Sequence, residues 1–235
     1  MVLRCGVSRI AQALLARHQT PRYMRDAIAY RPPQRAAVTP DRARLFEIAS
    51  EQGGYFTAEQ ARACGYSWAL LSHHVKHGRF VRVRRGLYRY REYPSSPREE
   101  VLAAWLAVGK DVAVVSHDSA LDLLDLSDAI PDAAHLTVPR SRRNLPRLPG
   151  VRIHTTARPL RPSDLTYRDG MVLTSATRTI LDVAEAGTAP DQVELAVAQA
   201  VERGLTAPEQ LRQGAAERSR RVAALIEGAL RRVPA

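Results

Sequence analysis

A cluster of arginines around a single glycine is the feature that most restricts how this chain can fold. Residues 79–91 read R-F-V-R-V-R-R-G-L-Y-R-Y-R, which predicts a β-hairpin with its turn at Arg85-Gly86. One face of such a hairpin can pack while the other presents guanidinium groups, whose planar fork binds phosphate oxygens bidentately. A solvated hairpin in a generally basic protein is the alternative interpretation. Strand periodicity places four arginines, Arg82, Arg84, Arg89 and Arg91, opposite Val83, Tyr88 and Tyr90.

The positive charge of the chain is confined to its front part. The 235 residues carry a formal net charge of +11, of which +6 lies in residues 1–38 and +5 in residues 39–93, whereas residues 94–235 are neutral. This asymmetry predicts a nucleic-acid-binding front joined to a neutral domain with another task. Because no apolar run approaches the roughly 20 residues that span a bilayer, we expect no membrane partner.

The segment before the hairpin supplies the other elements of a DNA-binding module. Apolar residues at helical spacing predict a first helix that two glycines end, and a short strand follows. Thr57 and Ser67 then precede two further helices as caps, and Gln60 completes a capping box with Thr57. The order helix, strand, helix, turn, helix, hairpin is that of a winged helix-turn-helix over residues 39–93.

The third helix of this module is the predicted recognition helix. Helical periodicity turns Leu71 and Val75 inward and turns Ala69, Ser72, His73 and Lys76 outward, toward base edges in a major groove. Trp68 lies between the two faces, where it either covers the small core or stacks on nucleic acid. The predicted DNA-binding residues are Ser72, His73, Lys76, Arg79, Arg82, Arg84, Arg85, Arg89 and Arg91.

Histidines on the same helix raise the question of a metal site. His73 and His77 are four residues apart on one helix face, a spacing that zinc sites use. No nearby cysteine or carboxylate completes such a site, so we predict no metal ligands. We expect His74 to flank the packing surface.

Residues 94–235 follow a linker rich in proline and serine and are predicted to form a mixed α/β domain. The pattern predicts helices over 98–108 and 117–126, strands over 112–115, 135–138 and 151–155, and a short hairpin around 168–170. Three helices close the chain, the last over 207–232. The fold class predicted for the whole chain is therefore α/β (α+β), a winged helix-turn-helix followed by a mixed domain that ends in a helical region.

Candidate catalytic residues in the second domain have simpler explanations. Ser116-His117-Asp118 holds the residue types of a nucleophilic triad, but three consecutive side chains cannot converge on one reacting atom, so a helix cap is the better account. Asp122, Asp125 and Asp128 recur at helical spacing as a solvated acidic face, and Lys110 is the only lysine there. We predict no catalytic residues and no cofactor.

Two groups of arginines in the second domain remain open to two interpretations each. The loop around residues 140–149 holds Arg140, Arg142, Arg143 and Arg147, which suit either a second phosphate contact or a mobile surface loop. Arg178 stands in the first turn of a capped helix, where the macrodipole disfavours a cation. We expect an internal ion pair with Asp182, four residues on, rather than an external phosphate.

The N-terminal arm and the cysteines bear on where the protein works. Residues 1–38 are expected to form a basic, partly disordered arm without a secretion signal, and Met24 is an alternative translation start. Cys5 and Cys64 lie in different segments, so a disulfide framework is not expected. A reducing cytoplasm fits this composition.

Several collinear blocks resemble the AbiEi family of type IV antitoxins. They are G-Y-F-T-A-E-Q-A, F-V-R-V-R-R-G-L-Y, V-S-H-D-S-A-L-D-L-L-D-L, H-L-T-V-P, V-R-I-H and V-L-T-S-A-T-R-T-I-L-D-V-A, from about residue 40 to 190. The resemblance implies a cytoplasmic bacterial protein whose winged helix binds inverted repeats in double-stranded DNA upstream of its own operon. It also implies a second domain that counters a nucleotidyltransferase-like toxin indirectly, without a stable complex. The basic arm lies outside the family pattern.

The sequence thus predicts a non-enzymatic DNA-binding antitoxin that represses its own operon. A nuclease-related enzyme, which the winged helix would target to nucleic acid, is the first alternative. An RNA-binding protein that protects the RNA attacked by the toxin is the second.

Overall fold

The structure is a computed structural model that describes residues 39–128 and 130–233. The predicted basic arm, residues 1–38, lies outside the described residues. From Pro40 onward the chain forms one compact unit, so contacts between its N-terminal and C-terminal parts can be read directly.

The N-terminal part of this unit is a three-helix module with a small antiparallel sheet. Strands β1 and β2 both pair with β3, so the sheet order is β1-β3-β2. Asp41, Thr57 and Ser67 each accept a backbone N–H at a helix start, and Thr57 and Gln60 form the predicted capping box. The elements are α1 (Arg42–Ser50), β1 (Tyr55–Thr57), α2 (Ala58–Ala63), α3 (Trp68–Lys76), β2 (Phe80–Arg84) and β3 (Leu87–Tyr90).

Aromatic rings hold the module together. Phe56 and Phe80 are completely buried, with ring centroids 4.8 Å apart and nearly perpendicular planes, the edge-to-face geometry that aromatic pairs favour. Tyr90 packs on both, and its burial raises the pKa of its phenol to about 12. Leu45 from α1 and Leu71 from α3 complete this core. The module has the winged helix-turn-helix arrangement that the caps and the hairpin predicted.

The C-terminal part combines a mixed five-stranded sheet with six helices among the described residues. Its strand order is β6-β5-β4-β8-β7. The pairs β5–β6 and β4–β8 are parallel, whereas β4–β5 and β7–β8 are antiparallel. The elements are α4 (Glu99–Val108), β4 (Val114–Val115), α5 (His117–Leu123), β5 (Ala134–Pro139), β6 (Val151–Thr156), β7 (Leu165–Arg168), β8 (Met171–Thr174), α6 (Ala176–Ala186), α7 (Pro190–Glu202), α8 (Pro208–Ala216) and α9 (Arg220–Leu230). The α/β fold class is confirmed.

Three elements differ from their predicted extent. The strand expected over 112–115 is limited to Val114–Val115, and the helix expected to reach residue 126 ends at Leu123. The chain turns sharply there, because Asp125 adopts a positive φ of 53° that a helix does not allow. The predicted final helix over 207–232 is two helices, since Ser219 has an extended backbone at the start of α9.

The winged helix and the second domain share apolar packing. Tyr55 and Leu87 belong to the winged helix but are buried in the large cluster that contains Leu102 and Leu106 of α4. Next to this junction, within the winged helix, the Tyr93 hydroxyl donates to the Ser50 carbonyl at 3.1 Å. The boundary at residues 93/94 stays a prediction, and the structure places buried side chains on both sides of it.

The Tyr93 ring also restricts the backbone beside it. A Cβ built on Gly54 would lie 2.4 Å from the Tyr93 Cγ, and Gly54 has a φ of +86°. Only glycine fits this position without a shift of the ring.

Candidate nucleic-acid interface

Helix α3 exposes the face that the sequence predicted. Leu71 and His74 are buried, and Val75 packs partly against the core. The opposite face is exposed to solvent and carries the predicted base-reading and phosphate-binding side chains, together with Ala69. These are Ser72, His73 and Lys76.

The histidines of α3 divide into an exposed pair and a buried one. The rings of His73 and His77 stack at a centroid distance of 3.9 Å, and His77 Nδ1 lies 2.8 Å from the His73 carbonyl oxygen. His74 packs on Phe80, and its burial, together with the charge of Arg79, lowers its pKa. A neutral His74 therefore belongs to the core, as predicted, and the exposed pair faces outward.

The wing is the hairpin β2–β3, which turns at Arg85 and Gly86. Gly86 has a φ of +78°, a conformation that favours glycine. A register shift between Arg82 and Arg84 interrupts the regular pairing. The expectation that Val83 packs is wrong: it is exposed, because the wing tip extends past the core.

Three of the six predicted wing arginines are free to bind a partner. Arg79, Arg82 and Arg85 are exposed, and their guanidinium groups make no hydrogen bond or ion pair with residues 39–128 or 130–233. Arg82 lies in β2, on which α3 packs directly, and Arg79 and Arg85 flank that strand. We refer to these three side chains and the exposed face of α3 together as the cationic surface.

The other three arginines are held by the protein. Arg89 is largely buried, lies 3.2 Å from a carboxylate oxygen of Glu99, and stacks over the Tyr55 ring. Arg84 donates to the Pro149 carbonyl at 2.9 Å, and Arg91 donates through Nε to the Gly78 carbonyl at 2.6 Å. Strand parity placed Arg84, Arg89 and Arg91 on the same free face as Arg82. It carried no information about Glu99 and Pro149, which approach from the second domain.

Trp68 does not cover the core, because the residue is 58% exposed. The Arg62 guanidinium lies 5.4 Å from the centre of its ring, in cation–π geometry. The ring borders an open hollow whose floor includes Leu87 and Leu106. Of the two sequence interpretations, packing over the core is excluded.

Two of the three acidic residues considered for a nuclease, Asp122 and Asp125, are engaged with arginines. Arg98 approaches Asp122 at 3.4 Å and Asp125 at 2.7 Å, and Arg168 also pairs with Asp125. Arg98 and Arg168 come from distant parts of the chain and partly neutralise this acidic face, whose carboxylates stay partly exposed to solvent. In the described part of the chain, no cluster of three or more histidine, cysteine or acidic side chains has the geometry to hold a metal ion.

Arg178 forms the internal ion pair that the sequence predicted. Its Nε lies 2.8 and 2.9 Å from the two carboxylate oxygens of Asp182. Arg218, from the loop before α9, donates to the same carboxylate at 2.7 Å. Asp182 is buried, with 5% of its side chain exposed. Two arginines thus neutralise one buried carboxylate.

Sequence reasoning missed a histidine cluster in the second domain. The rings of His117 and His154 stack at 3.5 Å, and His154 Nε2 lies 3.3 Å from His135 Nδ1. Burial, reinforced by the neighbouring histidines, lowers the pKa of His117 to about 3 and that of His154 to about 4. The cluster is therefore uncharged at neutral pH. The pairing of β5 with β6 would have revealed the contact of His135 with His154, because Thr137, which shares a strand face with His135, lies opposite His154 in that register.

Ser116 occupies the cap position that was predicted but does not cap through its side chain. Its Oγ accepts a hydrogen bond from Thr137 Oγ1 at 2.8 Å and lies 3.0 Å from His117 Nδ1. Its side chain is completely buried. Ser116 therefore anchors the histidine cluster instead of the helix terminus.

None of the helices within residues 39–128 and 130–233 combines the length and apolarity that crossing a membrane requires.

Comparison with a solved structure supports the overall fold. The crystal structure of the Rv2827c protein from Mycobacterium tuberculosis superposes with a TM-score of 0.52 at 17% identity, covering 80% of this chain and 76% of that one. At this identity the similarity concerns the fold alone. No curated protein matches the chain.

A family profile matches the module that contains α3 and the wing. Residues 43–91 match the family described as "Transcriptional regulator, AbiEi antitoxin". The match spans α1 from its second residue, α2, α3 and both wing strands, and it contains the cationic surface. Over residues 43–91 the chain is therefore similar to the AbiEi antitoxin family of transcriptional regulators.

Proposed function

We propose that the protein is a non-enzymatic antitoxin of a type IV toxin–antitoxin system and a repressor of its own operon. The winged helix would bind inverted repeats in double-stranded DNA. The second domain would counter a nucleotidyltransferase-like toxin through indirect antagonism. The observation that carries the proposal is the coincidence of the AbiEi match at residues 43–91 with the exposed face of α3 and the unpaired wing arginines.

The exposed residues divide naturally between phosphate contact and base recognition. Lys76, Arg79, Arg82 and Arg85 would position the protein on the phosphates, because cationic side chains dominate that interaction. Ser72 and His73, which point outward from α3, would contact base edges in the major groove. Arg84, Arg89 and Arg91 would support the wing, since each is already bonded within the protein.

A salt titration tests the DNA-binding half of this proposal. With about five phosphate contacts, the logarithm of the association constant should fall against the logarithm of salt concentration with a slope near −5. Arg82→Ala should weaken binding to all sequences and flatten the slope by about one, whereas His73→Ala should mainly relax sequence preference. Gel-shift titrations on upstream DNA at several salt concentrations measure both quantities.

A reporter assay in cells tests the antitoxin half. Expressed with the neighbouring toxin gene, the full chain should restore growth and lower transcription from its own promoter. Arg82→Ala with Arg85→Ala should abolish repression and keep protection. Cleavage of DNA or RNA by the purified protein with magnesium or manganese would instead favour the nuclease alternative.

A further inference from the structure

Four arginines of the second domain resemble the free wing arginines in their surroundings. They lie in the connection between β5 and β6, which we call the basic loop (residues 140–149). All four are exposed, and none of their guanidinium groups forms an ion pair or hydrogen bond with the portion of the chain that the structure describes. Most arginines of this domain are held by carboxylates or by backbone carbonyls instead, as Arg98, Arg178 and Arg221 illustrate. The four are Arg140, Arg142, Arg143 and Arg147.

Local contacts give the basic loop a defined course. Its first residues form a 3₁₀ turn closed by the Arg143 N–H, which donates to the Arg140 carbonyl at 3.2 Å. Leu145 packs against the large core of the domain. At the far end, the Val151 N–H donates to the Leu148 carbonyl at 3.1 Å. A loop anchored at its beginning, middle and end presents its arginines from fixed positions, which argues against a merely mobile surface segment.

The basic loop touches the wing. Arg84 of β2 donates to the Pro149 carbonyl at 2.9 Å, so the end of the loop lies beside the wing tip that carries Arg85. Arg147 is only two residues from Pro149 and cannot lie more than about 7 Å from it along the backbone. The free arginines of the wing and those of the loop are therefore parts of adjoining surfaces.

The course of the basic loop sets the length of the surface on which its four arginines lie. Strands β5 and β6 are parallel and paired over six residues, so their connection must return along the whole strand length, which is about 20 Å. Arg140 follows the end of β5, whereas Pro149 precedes β6 beside the wing. A surface about 20 Å long matches roughly six base pairs of duplex at about 3.4 Å each.

We propose that the basic loop extends the DNA-binding surface of the winged helix, so that duplex DNA leaving the wing lies along Arg147, Arg143, Arg142 and Arg140. Arginine suits this role, because its fork binds phosphate oxygens bidentately and keeps its charge. The contact is sequence-independent, since it involves the phosphate backbone beyond the bases that α3 reads. This inference rests on the proposed DNA-binding function of residues 43–91.

The test compares two charge-matched double variants of the full chain. Arg142→Ala with Arg143→Ala should flatten the salt slope by up to about two and weaken binding to specific and non-specific duplexes alike. The control is Arg220→Ala with Arg231→Ala, which removes two exposed arginines that also have no partner among the described residues. Arg220 is the first residue of α9 and Arg231 follows its last, and this helix packs on α6, α7 and α8. The control should bind like the wild type.

Duplex length provides a second measurement. The loop variant should bind long duplexes more weakly than the wild type. The two proteins should have equal affinity for a duplex shortened by about six base pairs beyond the wing. Equal slopes for the loop variant and the wild type would overturn the inference, and so would equal losses in the loop variant and the control. Failure of the proposed function has a different signature, namely no binding by the wild type or no effect of Arg82→Ala.

Discussion

In the wing, Arg79, Arg82 and Arg85 extend into solvent without a partner in the described structure, whereas in the second domain Arg178 and Arg218 converge on one buried carboxylate. The positive charge of the first group is available to another molecule, whereas the charge of the second group is neutralised inside the fold. Net charge distinguishes the two regions only on average. The assignment of a single arginine depends on whether a carboxylate or carbonyl lies within reach.

The largest effect is expected from removing the buried carboxylate that pairs with two arginines. Asp182→Ala should lower the free energy of unfolding by about 3 to 5 kcal/mol, because it leaves Arg178 and Arg218 without their buried partner. The control is Glu47→Ala, which removes the partner of exposed Arg44 at 3.3 Å and should change stability by less than about 1 kcal/mol. Urea unfolding of the full chain measures both. Similar losses in the two variants would contradict the internal role of the pair.

Acid should weaken the second domain through its histidine cluster. The folded-state pKa values of His117 and His154, about 3 and about 4, lie below the ordinary value of 6.5, so the unfolded chain takes up protons first. The contribution of the cluster to the free energy of unfolding is fully present above pH 6.5. It falls as the pH decreases toward 4, by at most about 1.4 kcal/mol per pH unit for each histidine. Partial exposure of His154 reduces its share.

A histidine variant isolates this contribution from that of the carboxylates. His154→Gln should lose less stability than the wild type between pH 7 and pH 5 in urea unfolding. An identical pH dependence in the two proteins would show that the cluster does not resist protonation.

The next test sharpens the comparison within the wing itself. Arg89→Ala should lower the free energy of unfolding by about 1.5 to 3 kcal/mol, because Glu99 and the Pro94 carbonyl lose a charged partner. The salt slope of DNA binding should stay unchanged. Arg82→Ala should show the reverse, with a stability change within about 0.5 kcal/mol and a flatter slope. A flatter slope in Arg89→Ala would return that side chain to the DNA surface.

Trp68 gives the smallest expected effect on stability. Because the residue is 58% exposed, Trp68→Ala should lower the free energy of unfolding by about 1 kcal/mol at most, the value of its cation–π contact with Arg62. Affinity for DNA should fall if the ring stacks on nucleic acid, and gel shifts with the same duplexes measure it. A loss of several kcal/mol would show that the ring supports the fold after all.

Local signals made the winged helix predictable. Thr57 with Gln60, Ser67 and Gly86 act on their immediate neighbours, and each appears in the structure where the sequence placed it. The Arg178–Asp182 pair was predictable for the same reason, since the partners are one helical turn apart.

Long-range contacts were not predictable from the same sequence. Arg84 meets Pro149 and Arg89 meets Glu99 only because the wing packs on the second domain. The histidine cluster needs the register of β5 with β6, which no local pattern specifies. The division of the last helix depends on Ser219, whose extended backbone the helical periodicity did not reveal.

The placement of Tyr55 and Leu87 has a consequence for engineering. Both side chains lie in the winged helix, yet both are buried in the core of the second domain, and burial of such a side chain contributes about 1.5 to 3 kcal/mol. A winged helix that ends at residue 93 would expose both side chains to solvent as an apolar patch. The module is thus not a portable part: grafting it onto another protein requires either a new apolar partner or polar residues at these two positions.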